Sequence, residues 1–252
     1  MWDLKGKKAL VTGGSKGIGK ATVLEFAKLG AEVVFTARNE EEITETEREF
    51  TDKGHKVTGL RADSSFDPDR KKVADWIAEN FGKLDILVQN AGINIRKKAI
   101  DYSEEEFRKV LEINLIATFD LSRKLFPYLK NSGNASVINI ASSAAIQDVG
   151  TGVPYAMSKA GLLQQTRSLA AEWATFGIRV NAVSPWFTKT PLTKTYLENT
   201  EMMDLIQKRT PLKRVAEASE MAAPIAFLAM DKSSYITGQN IIADGGMSIN
   251  AI

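Results

Sequence analysis

Tyr155 and Lys159 stand four residues apart in the run Y-A-M-S-K, within a stretch from Val153 to Phe176 whose pattern predicts one helix. That spacing sends both side chains out of the same helical face. A phenol with its usual pKa of about 10 is a poor acid–base catalyst near neutrality. An ammonium held beside it favours the phenolate and draws the pKa towards the working range, so the pair reads as a proton donor and acceptor. A half-buried Tyr beside a solvated Lys gives the same spacing, so the pair gains meaning only with a second site. The run A-L-V-T-G-G-S-K-G-I-G supplies one. Apolar Ala9 to Val11 lead through Thr12 to Gly13, Gly17 and Gly19, and a helical pattern follows from Ile18 to Leu29. This is strand, glycine turn, helix. The glycines permit a tight turn and close backbone approach, and the helix N-terminus offers N–H groups and a positive dipole end to a pyrophosphate.

The T-G-x-x-x-G-x-G turn and the Y-x-x-x-K pair together resemble the two signatures of the short-chain dehydrogenase/reductase family, and the likeness runs along essentially the whole chain. It implies cofactor contacts from Gly13, Ser15, Lys16, Gly17, Ile18 and Gly19. Asp63, in R-A-D-S-S, matches the position that meets the adenine ring, although an Asp there also reads as a turn cap. Q-N-A-G at 89–92 stands where the family shows N-N-A-G. Asn90, Ala91 and Gly92 are implied at the adenosine ribose, and Gln89 departs without evident consequence. Asn114, in L-E-I-N-L, is either a locally satisfied core amide or, by resemblance, the residue that holds a water linking Lys159 to solvent. The family's catalytic Ser lies thirteen residues before the Tyr, which selects Ser142 over its neighbour Ser143; its hydroxyl can donate to a carbonyl oxygen and steady the forming alkoxide. The usual P-G after the sixth strand is Pro185-Trp186 here, which puts that turn's geometry in question. Thr188 and Thr190 follow, where the family orients the nicotinamide carboxamide. The resemblance thus implies Asn114, Ser142, Tyr155 and Lys159 as the catalytic set, with Tyr155 and Lys159 also touching cofactor.

Short apolar runs alternate with longer amphipathic ones. Strands are expected at 8–12, 31–36, 55–60, 84–89, 135–141, 178–183 and 240–243, and helices at 18–29, 40–53, 68–81, 104–130, 154–176 and 218–229. Such alternation predicts an α/β protein, a Rossmann-type doubly wound seven-stranded parallel sheet with helices on both faces, in a single domain spanning 1–252. Residues 91–103 and 184–216 break the rhythm. The second follows a strand end, where long loops serve ligands, and is expected to be a substrate lid; the plainer reading is that its apolar side chains pack a short helix onto the core.

Composition narrows the classes. Of 252 residues, 44% are hydrophobic and 25% charged, as in soluble globular proteins. A net charge of +2 gives no field for nucleic acid or an anionic membrane. The clusters Arg70 to Lys72 and Arg96 to Lys98 read as solvated faces. With no Cys, disulfides and thiol catalysis are excluded; a single histidine, His55, excludes a multi-histidine metal site, and no metal is expected. No apolar run approaches the roughly 20 residues of a membrane helix, and the first residues lack a signal-peptide core, so a cytoplasmic location is expected.

At the end of the second strand a carboxylate would bind the ribose 2′-hydroxyl of NAD and repel the 2′-phosphate of NADP. That position is Ala37, followed by Arg38, with Lys16 in the glycine turn and no anion evident against them. NADP(H) is therefore expected, with a small ketone or alcohol as the other reactant. Within the family, A-G-I-N-I-R-K at 91–97 and S-P-W-F-T-K-T-P-L at 184–192 look most like the tropinone-reductase-like and sugar-acid-dehydrogenase branches. An enoyl reductase would place its Tyr seven residues before the Lys, where Gly152 stands. A β-ketoacyl carrier-protein reductase is the nearest alternative, although such enzymes often carry Arg at the position of Ala171. A non-catalytic dinucleotide sensor of the same fold would normally lack the Tyr or Lys. The family's habit implies a dimer or tetramer through helices 104–130 and 154–176.

Overall fold

Residues 2–250 are described by the computed structural model. Seven short strands, β1 (Lys8–Thr12), β2 (Glu32–Ala37), β3 (Val57–Arg61), β4 (Ile86–Gln89), β5 (Ala135–Ile140), β6 (Ile178–Pro185) and β7 (Asn240–Ala243), form one sheet in the order β3-β2-β1-β4-β5-β6-β7. Every pairing is parallel. β4, β5 and β6 are buried at every position, as a sheet covered on both faces requires.

Alternation along β1 shows how one strand feeds two cores. Ala9 and Val11 face the layer holding Val23 and Phe26 of α1 (Gly17–Lys28), Phe50 of α2 (Glu40–Thr51) and Ile225 and Leu228 near the C-terminal end of the chain. Leu10 faces the opposite layer, with Val73 and Ile77 of α3 (Asp67–Asn80), Leu125 and Leu129 further on, and Trp173. The strand order reverses between β1 and β4, and a crevice opens beyond their carboxyl ends, where α/β sheets take ligands.

Expected and observed elements differ in two places that matter. The single helix expected over 104–130 is three pieces: α4 (Glu104–Leu111), a π-helical turn (Glu112–Ile116) and α5 (Ala117–Ser132). Asn114 sits in that turn, held by side-chain hydrogen bonds that a straight helix would not align. After α6 (Val153–Trp173), residues 184–216 are not an open loop. β6 runs to Pro185, and α7 (Lys194–Leu197) and α8 (Thr200–Arg209) follow before α9 (Ala218–Ala229). Trp186 Nε1 donates to Thr210 Oγ1 at 3.1 Å, and Leu212 N to Gly245 O at 3.1 Å, so the segment is tied back to the core.

The reading of Arg70 as a solvated charge is also corrected. It is buried, with Nε 2.6 Å from Asp120 Oδ2 and Nη1 2.7 Å from Ser64 O, and it clamps α3 to α5. Chain distance hid this partner. Among the described residues no helix is long and apolar enough to cross a membrane, and no cluster of three His, Cys, Asp or Glu side chains could hold a metal ion.

Candidate active site

The glycine turn takes its shape from backbone that other residues could not adopt. Gly13 and Gly17 have φ of 67° and 53°. A Cβ on Gly19 would lie 2.1 Å from Gly13 O. Gly19 is thus buried beneath the turn and packs against it, instead of lining the groove as expected of a cofactor contact. Lys16 occupies the N-cap of α1 without a side-chain cap, which leaves first-turn N–H groups for a ligand. Asn90 holds the turn from β4: its Nδ2 donates to Thr12 O at 2.9 Å and Gly13 O at 3.0 Å. Thr12 Oγ1 accepts from Asn90 N and Ala91 N, both at 3.0 Å. Sequence reasoning passed over Thr12, whose place just before the first glycine was the available signal.

A groove runs from the turn past Ser15, Lys16 and Ile18 to Arg38, Asp63 and Ala91. Asp63 caps the turn after β3 and also borders the groove. Its Oδ1 accepts from Ser65 N at 2.9 Å and Ser65 Oγ at 2.7 Å, and it lines the groove. Burial raises its pKa, but the Ser65 hydrogen bonds and the Arg38 charge outweigh that and hold it below the usual carboxylate range. The expectation that no anion stands against Lys16 is overturned. Asn39 caps α2 by accepting from Glu42 N, and this places Glu42 over the turn, with Oε1 2.5 Å from Lys16 Nζ and Oε2 accepting from Ser15 Oγ at 3.2 Å.

A cavity of about 120 Å³ adjoins this groove, lined by Ser142, Tyr155, Lys159, Pro185 and Thr188. The two spaces share Ile18, Asn90, Gly92, Thr190 and Leu192. Ser142 Oγ accepts from Ala144 N at 3.2 Å and faces the cavity, whereas Ser143 is fully buried and donates to Pro185 O at 3.1 Å. Trp186 in place of glycine is accommodated without strain: Lys213 is the one non-glycine residue with positive φ among the described residues, and Trp186 N donates to Ala243 O at 3.3 Å.

Asn114 is fully buried and satisfied locally, accepting from Ile93 N and donating to Ile93 O, both at 2.9 Å, and donating to Ser158 Oγ at 3.1 Å. It also adjoins Lys159. A Cβ on Gly92 would lie 3.1 Å from Asn114 Oδ1 and 3.6 Å from Lys159 Nζ.

The electrostatics differ from the sequence-based expectation that Lys159 draws the Tyr155 phenol down. Lys159 is buried, donates to Ile140 O at 2.8 Å, and keeps Nζ 5.7 Å from the centre of the Tyr155 ring. Burial pushes its pKa down to about 8. Tyr155 as a residue is half-buried, and burial of its hydroxyl raises its pKa above the usual phenol value; the Ser142 hydroxyl and the Arg96 charge pull the other way. Arg96, read from sequence as a solvated cation, instead lines the cavity with its guanidinium carbon 3.8 Å from the centre of the Tyr196 ring. Its place two residues beyond Asn94, just past the fourth strand at the switch point, was the signal missed.

Glycine turn, switch-point groove and Tyr–Lys cavity define the class: an α/β protein built to hold a dinucleotide against a second small molecule. Comparison narrows it. A family profile described as enoyl-(acyl carrier protein) reductase matches residues 13–248. A tropinone reductase homolog of Arabidopsis thaliana is 44% identical over 250 residues, covering 99% of this chain and 95% of the relative. A gluconate 5-dehydrogenase from Burkholderia cenocepacia, solved with NADP and tartrate, superposes with a TM-score of 0.95 at 29% identity, covering 99% of this chain and 98% of that one. A short-chain type dehydrogenase/reductase from Mycobacterium marinum gives a TM-score of 0.93 at 31% identity over 99% and 98%. The chain belongs to the short-chain dehydrogenase/reductase family of oxidoreductases.

Burial of Lys159 has a measurable consequence for stability. Its folded pKa of about 8 lies below the ordinary 10.5, so between those values the unfolded chain holds the extra proton and stability rises with pH. Relative to Lys159→Met, in which other titrations cancel, the wild-type protein should gain up to about 3 kcal/mol between pH 7 and pH 10.5. Denaturant midpoints of the two proteins across that range check this; parallel curves would contradict it.

Proposed function

We propose that the protein is an NADP(H)-dependent oxidoreductase that interconverts a ketone and a secondary alcohol on a small substrate, with Tyr155 as general acid and base. The observation that carries this reading is continuity: the cavity holding Ser142, Tyr155 and Lys159 opens onto the groove beneath the glycine turn through Ile18, Asn90, Gly92, Thr190 and Leu192. The groove fits a dinucleotide, because its turn presents side-chain-free backbone at Gly13 and Gly17 and its helix N-terminus lacks a side-chain cap. Gly13 to Ile18 would hold the pyrophosphate, Arg38 and Lys16 the 2′-phosphate, Asp63 the adenine, Asn90 to Gly92 the ribose, and Pro185, Thr188 and Thr190 the nicotinamide. Bound there, NADP(H) supplies or accepts the hydride.

Tyr155, kept protonated by burial, gives its proton to the substrate oxygen during reduction, and Ser142 Oγ donates a hydrogen bond to the same oxygen. The proton returns to Tyr155 from solvent by way of Lys159, through a water held beside Asn114, which adjoins Lys159 behind Gly92. Gly152 at the alternative tyrosine position counts against double-bond reduction despite the profile's description. Ala171 on the exposed face of α6 supplies no cation for an acidic carrier protein, which counts against the β-ketoacyl reductase reading. The intact Tyr and Lys count against a purely sensing role. Residues 184–216 act as the substrate lid, and protection of this segment from limited proteolysis by NADPH is the check.

Tyr155→Phe keeps the ring and removes the hydroxyl. Turnover of ketones should fall by roughly a hundred- to ten-thousandfold while NADPH binding persists; a variant that turns over normally would move the chemistry elsewhere. NADPH should bind more tightly than NADH by roughly 1 to 3 kcal/mol, the scale of charge-assisted hydrogen bonds. Ala37→Asp should invert that order, and Glu42→Gln, which releases Lys16, should widen it. Equal dissociation constants for the two dinucleotides in the wild-type protein would sink the assignment. A dimer or tetramer is proposed through the surfaces of α5 and α6, where Phe119, Val153 and Met157 are exposed. Light scattering that returns the 27.6 kDa monomer mass at micromolar concentration would refute it.

A further inference from the structure

The cavity beside Tyr155 is lined by two cations, Arg96 and Lys159, and by no acidic side chain. Lys159 is committed to a backbone carbonyl. Arg96 has no carboxylate partner among the described residues, although neighbouring Lys97 is paired with Glu106 at 2.6 Å. Asn94 lines the same cavity, and both its amide atoms are buried without a hydrogen-bond partner. A buried amide left unsatisfied is costly and calls for a ligand or water.

We infer that the substrate carries a carboxylate held by Arg96, with Asn94 reading a neighbouring hydroxyl: a small oxo acid or the matching hydroxy acid. This rests on the proposed carbonyl chemistry at Tyr155. The guanidinium carbon lies over the Tyr196 ring, 3.8 Å from its centre, and 5.9 Å from that of Phe187. The aromatic rings supply no carboxylate for its N–H fork, which matches a carboxylate's two oxygens. An amide both donates and accepts, as a hydroxyl requires.

The loop bearing both residues is held at each end. Asn114 brackets Ile93 with two hydrogen bonds. Tyr102 Oη donates to Ile95 O at 2.5 Å and accepts from Lys97 N at 3.3 Å. The subsite is therefore formed before ligand arrives, which lowers the ordering cost of binding. The same charge repels a substrate bearing a cationic amine.

The test uses the full chain with NADPH and a series of small oxo acids, each against its methyl ester, plus a ketone ending in a trimethylammonium group. The best acid should exceed its ester in kcat/KM by about ten- to hundredfold, as a charge-assisted pair supplies, and the ammonium ketone should be the poorest. Arg96→Gln should erase the acid-over-ester ratio, and Arg96→Lys, with charge but no planar fork, should restore only part of it. NADPH titration and thermal melting establish that each variant is folded. Asn94→Leu should melt no lower than wild type, since it removes an unsatisfied amide, yet lose preference for hydroxylated acids.

Calorimetry on NADP-loaded protein gives a readout independent of turnover: tartrate should bind, neutral threitol should not, and Arg96→Gln should abolish the difference. Equal handling of acids and esters, or an acid preference that survives Arg96→Gln, would overturn the inference. Tartrate binding through Arg96 with no ketone reduced would leave the subsite standing and fail the carbonyl chemistry; ketone reduction without charge preference would do the reverse.

Discussion

The hydrogen-bond clasp between Thr12 and Asn90 is the constraint on which the functional half of the molecule depends. β1 and β4 are adjacent in the sheet, but the chains leaving them diverge to opposite sides, and nothing in the sheet's own pairing sets how the two exits face each other. Thr12 Oγ1 accepts two backbone N–H groups from 90–91, and the Asn90 amide returns two bonds to the carbonyls of Thr12 and Gly13. The glycine turn and the loop carrying Asn94 and Arg96 are thereby held as one unit. Gly19 presses against Gly13 O from below with no room for a Cβ, so the turn cannot relax away from the clasp.

Around this unit the polar groups divide between those satisfied internally and those left for a ligand. Gln89 donates to Ser122 and Asn139 inside the sheet, Asn114 closes on Ile93 and Ser158, and Ser143 ties to Pro185. Buried amides and hydroxyls that serve the fold are paired, as low-dielectric surroundings demand. The Asn94 amide is not, and Arg96 lacks a counter-ion among the described residues. Elsewhere among the described residues Gln165 Nε2 and Arg179 Nε are also buried and unpaired, but each belongs to a side chain bonded through its other atoms; Asn94 is unpaired at both, which makes it a candidate for ligand contact.

The groove shows the same economy with charge. Lys16 and Arg38 flank its outer end, but Glu42, lifted into place by the Asn39 cap, holds Lys16 and tempers that cation. In the cavity, burial moves Lys159 down and Tyr155 up, so the two side chains that sequence spacing pairs are perturbed by desolvation more than by each other. A phenol that keeps its proton suits reduction of a carbonyl; Ser142 and Arg96 are the groups that pull its pKa back.

Much of this was legible in the chain itself. Strand alternation, the glycine turn and the Tyr155–Lys159 spacing depend on residues near one another in sequence, where periodicity and backbone permissiveness act directly, and they implied the seven-stranded parallel sheet that is observed. The residue types also carried the family. Tertiary structure decided what depends on partners far along the chain. Arg70 became a clamp because Asp120 lies fifty residues on; Glu42 met Lys16 because a cap on α2 aims it over the turn; the 104–130 helix carries a π-helical turn at Asn114, whose amide bonds to Ile93. Arg96 changed from surface charge to cavity wall because Tyr196, one hundred residues later, folds over it. Sequence determines the local conformational preferences and the inventory of chemistry; only packing sets which charges are paired, which are desolvated and which remain to meet a substrate.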